Sequence, residues 1–243
     1  MRVFGIVSYK GTKFLGWAKQ PSVITVQGEI EKALSQVLNS EILIYGSGRT
    51  DAGVHALGQT FTFDTNKDVD LDKLCFSLNR MIDKDIKILS LKKVDDDFHA
   101  RFSAKGKTYR YKIRLGVKDP FENEFQYVFP FEFDFDLFSK ALKQLEGKHC
   151  FQDFTNKEED EDGYVREIYK VVTMKQDNDV IVEFTGNGFM RYQIRNMVGV
   201  GLAIASRNED LNYIPYHLKE DKVREIVQYK APPQGLYLVQ VDY

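Results

Sequence analysis

The sequence predicts an α+β fold built from two related domains, each a mostly antiparallel sheet backed by helices. Three observations support this prediction. Short strand-like segments alternate with helical patterns along the chain of 243 residues. Each half combines strands with about two amphipathic helices in a similar order. The hydrophobic content of 43%, which includes 13% aromatic residues, is sufficient for a sizeable core.

The first half contains four predicted strands and two predicted helices. The strands cover 3–9, 42–45, 86–94 and a segment in which Phe61 and Phe63 alternate with threonine, as in a half-buried strand. Thr25 and Asp70 are candidate helix caps. The two helices would bury apolar side chains at helical spacing: Ile30, Ala33, Leu34, Val37 and Leu38 in one, and Leu71, Leu74, Cys75 and Leu78 in the other.

The second half predicts four more strands, at 108–115, 169–174, 180–185 and 236–241. Asp136 is a candidate start of a helix that Gly147 would stop. That helix would bury Leu137, Ala141, Leu142 and Leu145. A further helix covers 191–206. We therefore expect an N-terminal domain at residues 1–104 and a C-terminal domain at residues 105–243.

The composition excludes several classes of protein. The longest apolar stretch, 197–205, is too short to cross a membrane, and the first ten residues do not resemble a signal peptide. Cys75 and Cys150 lie in apolar surroundings, which favours buried thiols in a reducing cytoplasm over a disulfide framework. The four histidines show no metal-ligand spacing, so no metal is expected.

The net charge of −2 gives no general indication of nucleic-acid binding, but the charge is unevenly distributed. Segment 105–114 has no acidic residue and five basic ones: Lys105, Lys107, Arg110, Lys112 and Arg114. Segment 158–162 is entirely acidic. If the chain binds RNA, the basic segment is expected to face the phosphates and the acidic run to lie away from them.

The most informative segment is the glycine-rich loop Gly46–Ala56, in which Asp51 is the one carboxylate. An ionised aspartate on a tight loop, with Arg49 two residues away, could act as a nucleophile. Three other interpretations compete. The glycines could cradle a phosphate, although the full nucleotide-binding patterns are absent. Asp51 could instead cap a turn, or the loop could bind a metal, for which the spaced acids are missing.

The segment Arg49–Ala56 resembles the signature of the TruA family of tRNA pseudouridine synthases. The resemblance continues in family order along nearly the whole chain, through 25–27, 78–79, 85–86, 98–101, 103–104, 107–111, 188–189, 194–199 and 231–238. It implies the pseudouridine synthase fold with an active-site cleft between two domains. It also implies isomerisation of uridine to pseudouridine in tRNA, typically at positions 38, 39 and 40 of the anticodon arm, without a cofactor.

The resemblance also assigns roles to individual residues. It implies that Asp51 is the catalytic nucleophile and that Arg49 helps to displace the target base from its stack. Tyr109 would stack on that base and help to remove the C5 proton. Arg195 would pair with the catalytic aspartate. The family is typically a homodimer in which one tRNA contacts both subunits.

Other residues have structural interpretations beside functional ones. Lys107 and Arg110 are expected among the phosphate contacts, although strand alternation places Arg110 opposite Tyr109. Tyr111 is more typical of a core aromatic residue. Arg191 would lie one helical turn before Arg195 on the same face. His55 and Gln59 are expected to support the loop, and His149 with Cys150 to be structural.

The sequence departs from the family pattern at Ala18, Asp83 and Cys150, where the family commonly has glutamine, proline and aspartate. None of these positions touches the expected chemistry, but each affects how far substrate contacts can be transferred. Three alternatives therefore stay open. They are the same chemistry on another RNA, a non-catalytic RNA-binding protein on the same scaffold, and a phosphate-binding enzyme that uses Gly46–Gly53.

Overall fold

The computed structural model describes residues 1–117, 119–156, 158 and 163–243. Of the acidic run 158–162, only Glu158 lies within the described residues. The chain divides into two compact units, Met1–Lys105 with Tyr237–Tyr243, and Gly106–Leu236. Lys105 and Tyr237–Tyr243 therefore belong to the first unit, and the expected assignment of all of 105–243 to one domain differs from the structure at these eight residues. Whether the two domains are related stays a prediction.

The first unit is a mostly antiparallel sheet with two helices. Its elements are β1 (Arg2–Tyr9), α1 (Val26–Leu38), β2 (Ile44–Gly46), β3 (His55–Asp64), α2 (Leu71–Met81), β4 (Ile86–Val94) and the closing strand, which we number β10 (Leu236–Asp242). Strand β1 pairs antiparallel with β3 and β4, and β2 pairs antiparallel with β3. Strand β10 runs parallel to β3, with Tyr237 opposite His55.

Both predicted helix caps of the first unit are confirmed. The Thr25 side chain accepts a hydrogen bond from the Gly28 backbone, and Asp70 accepts from Asp72 and Lys73. Strand β3 differs from expectation because Thr60 and Thr62 are as buried as the phenylalanines beside them. Successive side chains point to opposite faces of a sheet, so both faces of β3 are covered here and it is not the half-buried strand that its alternation predicted.

The second unit is also mostly antiparallel, which confirms the predicted α+β class. Its elements are β5 (Gly106–Leu115), β6 (Tyr127–Phe129), α3 (Phe135–Lys143), β7 (Gly147–Cys150), β8 (Val165–Gln176), β9 (Asp179–Gly186), α4 (Gln193–Ala205) and α5 (Tyr213–His217). Strands β5, β9, β8 and β7 pair antiparallel in that order, and β6 runs parallel to β5. A 3₁₀ helix, Gln152–Phe154, follows β7.

Two helix boundaries in the second unit differ from the prediction. Helix α3 is capped by Asp134, whose carboxylate accepts from Leu137, so Asp136 lies inside the first turn and is not the cap. Helix α4 begins at Gln193, two residues later than predicted, because Tyr192 has a φ of 65° and ends the regular pattern. Gly201 of α4 packs so closely on Leu142 of α3 that an added Cβ would lie 2.8 Å from it.

Candidate active site

The loop that carries Asp51 joins β2 to β3 and is fixed at its base by two buried side chains. The Ser47 hydroxyl donates to the Gln59 side-chain oxygen at 2.7 Å, and the Gln59 amide donates to the Gly48 carbonyl at 3.1 Å. Both side chains are fully buried. A buried polar group is stable only when it is hydrogen-bonded, so these contacts define the entry of the loop. Gln59 supports the loop as the sequence predicted.

The residue before Asp51 is anchored in the core of the first unit. Thr50 is buried, and its hydroxyl lies 2.8 Å from the hydroxyl of Tyr9 on β1. Burial raises the pKa of Tyr9 well above its ordinary value, so that hydroxyl keeps its proton. The Thr50 carbonyl accepts from the Trp17 backbone at 3.1 Å. Asp51 therefore follows a residue that is held through both its side chain and its backbone.

Close approach of the chain before α1 also constrains the loop. Gly16 has a φ of +90°, and a Cβ added there would lie 2.7 Å from the Thr50 carbonyl oxygen. Glycine is the residue that tolerates both this conformation and this approach. The segment around Gly16 thus packs directly against the backbone of residues 50–52.

Asp51 itself is half-buried and lies at a tight turn. Its backbone carbonyl accepts from the Val54 backbone at 3.2 Å, and Gly53 has a φ of +79°. Strand β3 follows at His55, so this loop does not open a helix. Phosphate-binding glycine loops place the anion at a helix N-terminus, and the geometry therefore disfavours that alternative.

His55 supports the exit of the loop, as the sequence predicted. Its Nδ1 accepts from the Gly11 backbone at 3.1 Å, which places the proton of the neutral ring on Nε2. Its ring stacks on Tyr237 of β10 with the centroids 4.7 Å apart. Burial raises the pKa of Tyr237 to about 12, so this partner is neutral.

Arg49 differs from its neighbours because it is exposed. It makes no hydrogen bond or ion pair with any residue that the structure describes, so it is not paired with Asp51. An exposed arginine between two fixed positions, Ser47 and Thr50, has a long side chain that can reach a ligand. This geometry fits a residue that contacts substrate better than one that stabilises the loop.

In the second unit, the two tyrosines of β5 have different surroundings. Tyr109 is buried opposite Phe184 of β9, and its ring packs edge-on against Phe189 at 5.4 Å. Tyr111 is fully buried, and its hydroxyl donates to the Pro232 carbonyl at 2.7 Å. Burial raises the pKa of Tyr111 well above its ordinary value. Tyr111 therefore has a structural role, as its pattern predicted.

The face of β5 opposite Tyr109 carries Arg110 and Arg114, whose charges are compensated by acidic residues on β9. Arg110 pairs with Glu183 at 2.6 Å, and Arg114 pairs with Asp179 at 2.9 Å. Lys107 lies across from Gly186 and is half-buried. Lys107 and Arg110 stay predicted substrate contacts, but the charge of Arg110 already has a carboxylate partner.

Arg195 is the third residue of α4 and is nearly buried. Its Nε donates to the Ala231 carbonyl at 2.8 Å, and its own carbonyl accepts from the Ala231 backbone at 2.9 Å. Tyr111 donates to the next carbonyl, that of Pro232. Segment 231–232 therefore brings Arg195 and Tyr111 together and fixes how the guanidinium is oriented.

A basic cluster around Tyr192 was not predicted from the sequence. Three cations lie over its ring, with Lys230, Arg191 and Arg195 at 4.6, 4.8 and 5.4 Å from the centroid. Among the described residues, neither Arg191 nor Lys230 has a carboxylate partner. The left-handed backbone of Tyr192 costs about 1–2 kcal/mol for a residue with a Cβ, and such strain concentrates at functional sites.

Arg191 therefore does not lie on the face of α4 where the sequence placed it, because the helix begins only at Gln193. The cation contributed by Lys230 is 35 positions further along the chain than Arg195, so no local pattern indicates the cluster. The one sequence feature that could have indicated the cluster is Tyr192, an aromatic residue between Arg191 and Arg195 just before an apolar run.

Comparisons with known proteins identify the family of this chain. A family model described as tRNA pseudouridine synthase matches residues 6–103 and 141–243. The tRNA pseudouridine synthase A of Geobacillus sp. strain WCH70 is 40% identical over 244 residues, covering 100% of this chain and 98% of the relative. Those of Streptococcus mutans and Mycoplasmoides gallisepticum are 39% and 40% identical, covering 100% and 98% of this chain and 99% and 89% of the relatives.

These matches define an RNA-modifying isomerase on a pseudouridine synthase fold. The chain belongs to the tRNA pseudouridine synthase family, which confirms the resemblance carried by the loop motif. One chain in a solved structure of an H/ACA RNP bound to a substrate RNA is similar at a TM-score of 0.41 and 12% identity. That match covers 83% of this chain and 44% of the other, and no conclusion rests on it.

No helix among the described residues is long and apolar enough to cross a membrane. Within the same part of the chain, no group of three or more histidine, cysteine, aspartate or glutamate side chains is arranged to hold a metal ion.

Proposed function

We propose that this protein isomerises uridine to pseudouridine in the anticodon arm of tRNA, at positions 38, 39 and 40, with Asp51 as the nucleophile. The observation that supports this most is the fixed loop: Asp51 follows a residue anchored in the core, inside a motif that family membership identifies. A nucleophile held in one geometry loses little entropy when the substrate arrives.

The proposed reaction needs no external reagent. The bond between ribose C1′ and base N1 breaks, the base turns, and a new bond joins C1′ to C5. The C5 hydrogen leaves as a proton, and N1 gains one, so the product has the same composition as the substrate. Asp51 attacks either C1′ or base C6, and both routes need the ionised carboxylate.

The other side chains have supporting roles in this proposal. Tyr109 stacks on the target base and helps to remove the C5 proton, while Arg195 holds the carboxylate of Asp51 in its charged form. Arg49 fills the space that the flipped base leaves, which fits an exposed side chain that makes no hydrogen bond or ion pair with any described residue. Lys107 and Arg110 contact the phosphates.

The basic cluster around Tyr192 is a stronger candidate for phosphate contact than the basic face of β5. Arg110 and Arg114 already have carboxylate partners, whereas Arg191 and Lys230 have none among the described residues. Cations without partners gain most from a polyanion, because no existing ion pair has to break.

The test is tritium release from tRNA labelled at C5 of uridine, which must occur in isomerisation. Wild-type protein should release tritium, and Asp51→Asn should release none because an amide is not a nucleophile. Asp64→Asn is the matched control: this exposed carboxylate at the far end of β3 pairs with Arg2. Asp64→Asn should keep wild-type turnover.

The assay also separates the alternatives. Carbodiimide labelling of pseudouridine followed by primer extension would show whether positions 38, 39 and 40 are modified or another site is. No release by wild type from any tRNA, together with RNA binding that survives Asp51→Asn, would refute catalysis and indicate a non-catalytic RNA-binding protein.

The proposal includes a cytoplasmic location and a homodimer whose two subunits contact one tRNA. The homodimer follows from the family resemblance, and the cytoplasmic location follows from the two cysteines in apolar surroundings. Sedimentation equilibrium of the purified protein should give twice the chain mass of 28.2 kDa. A single species at the chain mass that remains fully active would refute the cross-subunit part of the proposal.

A further inference from the structure

A fully buried carboxylate lies outside the residues assigned so far. Asp153, in the 3₁₀ helix Gln152–Phe154, is 0% exposed, and its Oδ2 lies 2.7 Å from His217 Nδ1 and 2.5 Å from Lys222 Nζ. Its Oδ1 accepts from the Glu225 backbone at 2.9 Å. The side chains of His217 and Lys222 are only 3% and 12% exposed. A buried charge is tolerated only when it is paired and hydrogen-bonded, and here every partner lies within one stretch of chain or two residues before it.

That stretch is the 219–232 segment, which lies between α5 and β10 and has no regular secondary structure. The Asp153 carbonyl accepts from the Val227 backbone at 3.0 Å. Arg224 donates to the carbonyls of Gln152 and Thr155 at 3.0 and 2.6 Å. The first half of the segment is therefore attached to the 3₁₀ helix and its flank, with Asp153 at the centre.

The second half of the same segment is attached to the start of α4. Ala231 exchanges two hydrogen bonds with Arg195, one through the Arg195 Nε and one through its carbonyl. Between the two attachments, the backbone at Tyr229 and Lys230 passes so close to Gly199 of α4 that an added Cβ would lie 2.7 Å away. The segment thus follows α4 and ends at the side chain of Arg195.

The 3₁₀ helix is also bonded directly to the start of α4. Asn196 donates to the Phe154 carbonyl at 2.7 Å, and the Thr155 hydroxyl donates to the Arg191 carbonyl at 2.9 Å. These hydrogen bonds connect three parts of the second unit to one another: the 3₁₀ helix, the 219–232 segment and the first turn of α4. We call the three connected parts the frame. Arg195 lies where the segment and the helix meet.

We propose that Asp153 is a positioning residue for Arg195, which acts by fixing the 219–232 segment and so the Ala231 carbonyl that orients the guanidinium. This inference rests on the proposed function of Arg195. Because the Arg195 Nε is engaged by Ala231, only its terminal nitrogens can hold a carboxylate, and their direction depends on the position of Ala231. Lys222 and Glu225, two of the partners of Asp153, belong to the segment, and His217 lies two residues before it, so the charge of Asp153 controls that position.

The first experiment measures tritium release from C5-labelled tRNA and separates kcat from KM. Asp153→Asn keeps the shape of the side chain but removes its charge. It should lower kcat by about 10- to 100-fold, the range expected when a reacting group is misplaced by about 1 Å, and leave KM for tRNA unchanged. Asp134→Asn is the matched control, because Asp134 caps α3 and pairs with Arg207 in the same unit. The control should lose stability without losing kcat.

A second measurement follows the frame directly and does not depend on activity. The amide hydrogen of Ala231, bonded to the Arg195 carbonyl, should exchange faster in Asp153→Asn than in wild type. The amides of α3 should exchange as in wild type. A general loss of stability would accelerate both sets together and would contradict a specific effect on the segment.

Two further variants keep the proposal testable if Asp153→Asn does not fold. Lys222→Gln removes the positive charge of one partner at a partly exposed position and should lower kcat less than Asp153→Asn does. His217→Gln keeps a hydrogen-bond donor and should retain more kcat than His217→Leu. Wild-type kcat and unchanged Ala231 exchange in all of these variants would overturn the positioning role. An inactive wild type would instead overturn the proposed function, so the two failures are distinguishable.

Discussion

The buried hydroxyl pair beneath the Asp51 loop leads to a quantitative prediction. Tyr9 and Thr50 lie 41 positions apart, both are buried, and their hydroxyls are 2.8 Å apart. Thr50→Val keeps the shape of the side chain and removes the partner of the Tyr9 hydroxyl. A buried donor left without a partner costs about 1–3 kcal/mol. We therefore expect Thr50→Val to lower the free energy of unfolding by an amount in that range.

The assay is a double-mutant cycle measured by urea unfolding. Tyr9→Phe leaves the Thr50 hydroxyl unpaired and should cost a similar amount. The double variant, Tyr9→Phe with Thr50→Val, should cost less than the sum of the two single changes, because replacing both partners by apolar groups is nearly neutral. A coupling free energy of about 0.5 kcal/mol or more would show a direct interaction, since independent sites add to within about 0.3–0.5 kcal/mol.

The same variants test whether the pair positions the nucleophile. If Thr50 fixes the backbone of Asp51, Thr50→Val should lower kcat for tritium release while KM for tRNA stays constant, since the exposed residues that contact RNA are unchanged. Each loss of about 1.36 kcal/mol of transition-state stabilisation corresponds to a tenfold fall in rate. Additive free energies together with wild-type kcat would refute the reasoning.

Three further predictions concern other parts of the molecule. Gly16→Ala should lower the free energy of unfolding by at least about 1 kcal/mol because the new Cβ meets the Thr50 carbonyl, whereas Gly188→Ala, which has open space, should be nearly neutral in the same urea titration. Replacing Arg191 and Lys230 by glutamine should reduce the slope of log affinity for tRNA against log salt by about 1–2, and an unchanged slope would exclude phosphate contact there. Burial raises the pKa of Tyr237 to about 12 from an unfolded value of about 10, so wild-type stability should fall as pH rises through this window, and Tyr237→Phe should fall less steeply.

Elements with a strong local pattern were predicted well from sequence. Helix α2 has a capping aspartate and apolar residues at helical spacing, and β4 occupies the predicted residues. The short elements β6, β7 and α5 were missed because three to five residues contain too little periodicity to detect. The start of α4 was misplaced because a left-handed backbone at Tyr192 leaves no trace in the apolar pattern.

The supports of the site were the least predictable part. The loop motif identified Asp51, and the resemblance assigned Tyr109 and Arg195, but the groups that hold these regions come from distant positions. Thr50 is bonded to Tyr9, and the 3₁₀ helix at Asp153 is bonded to a segment about 70 positions further on. Such contacts depend on the tertiary fold, and no spacing rule in one sequence reports them.

The residues that support the candidate catalytic groups are buried, whereas the candidate phosphate contacts are exposed, and this difference has a mechanistic consequence. The groups that hold the candidate catalytic residues, such as Thr50, Gln59 and Asp153, are buried and fully hydrogen-bonded. The cations available to an RNA backbone, Arg191 and Lys230, are exposed and lack carboxylate partners among the described residues. Loss of a buried support should therefore lower kcat with little change in KM, because it disturbs the geometry of the reacting groups after tRNA has bound. Loss of an exposed cation should raise KM and leave kcat, because it removes an attraction that is equal in the bound ground state and the transition state.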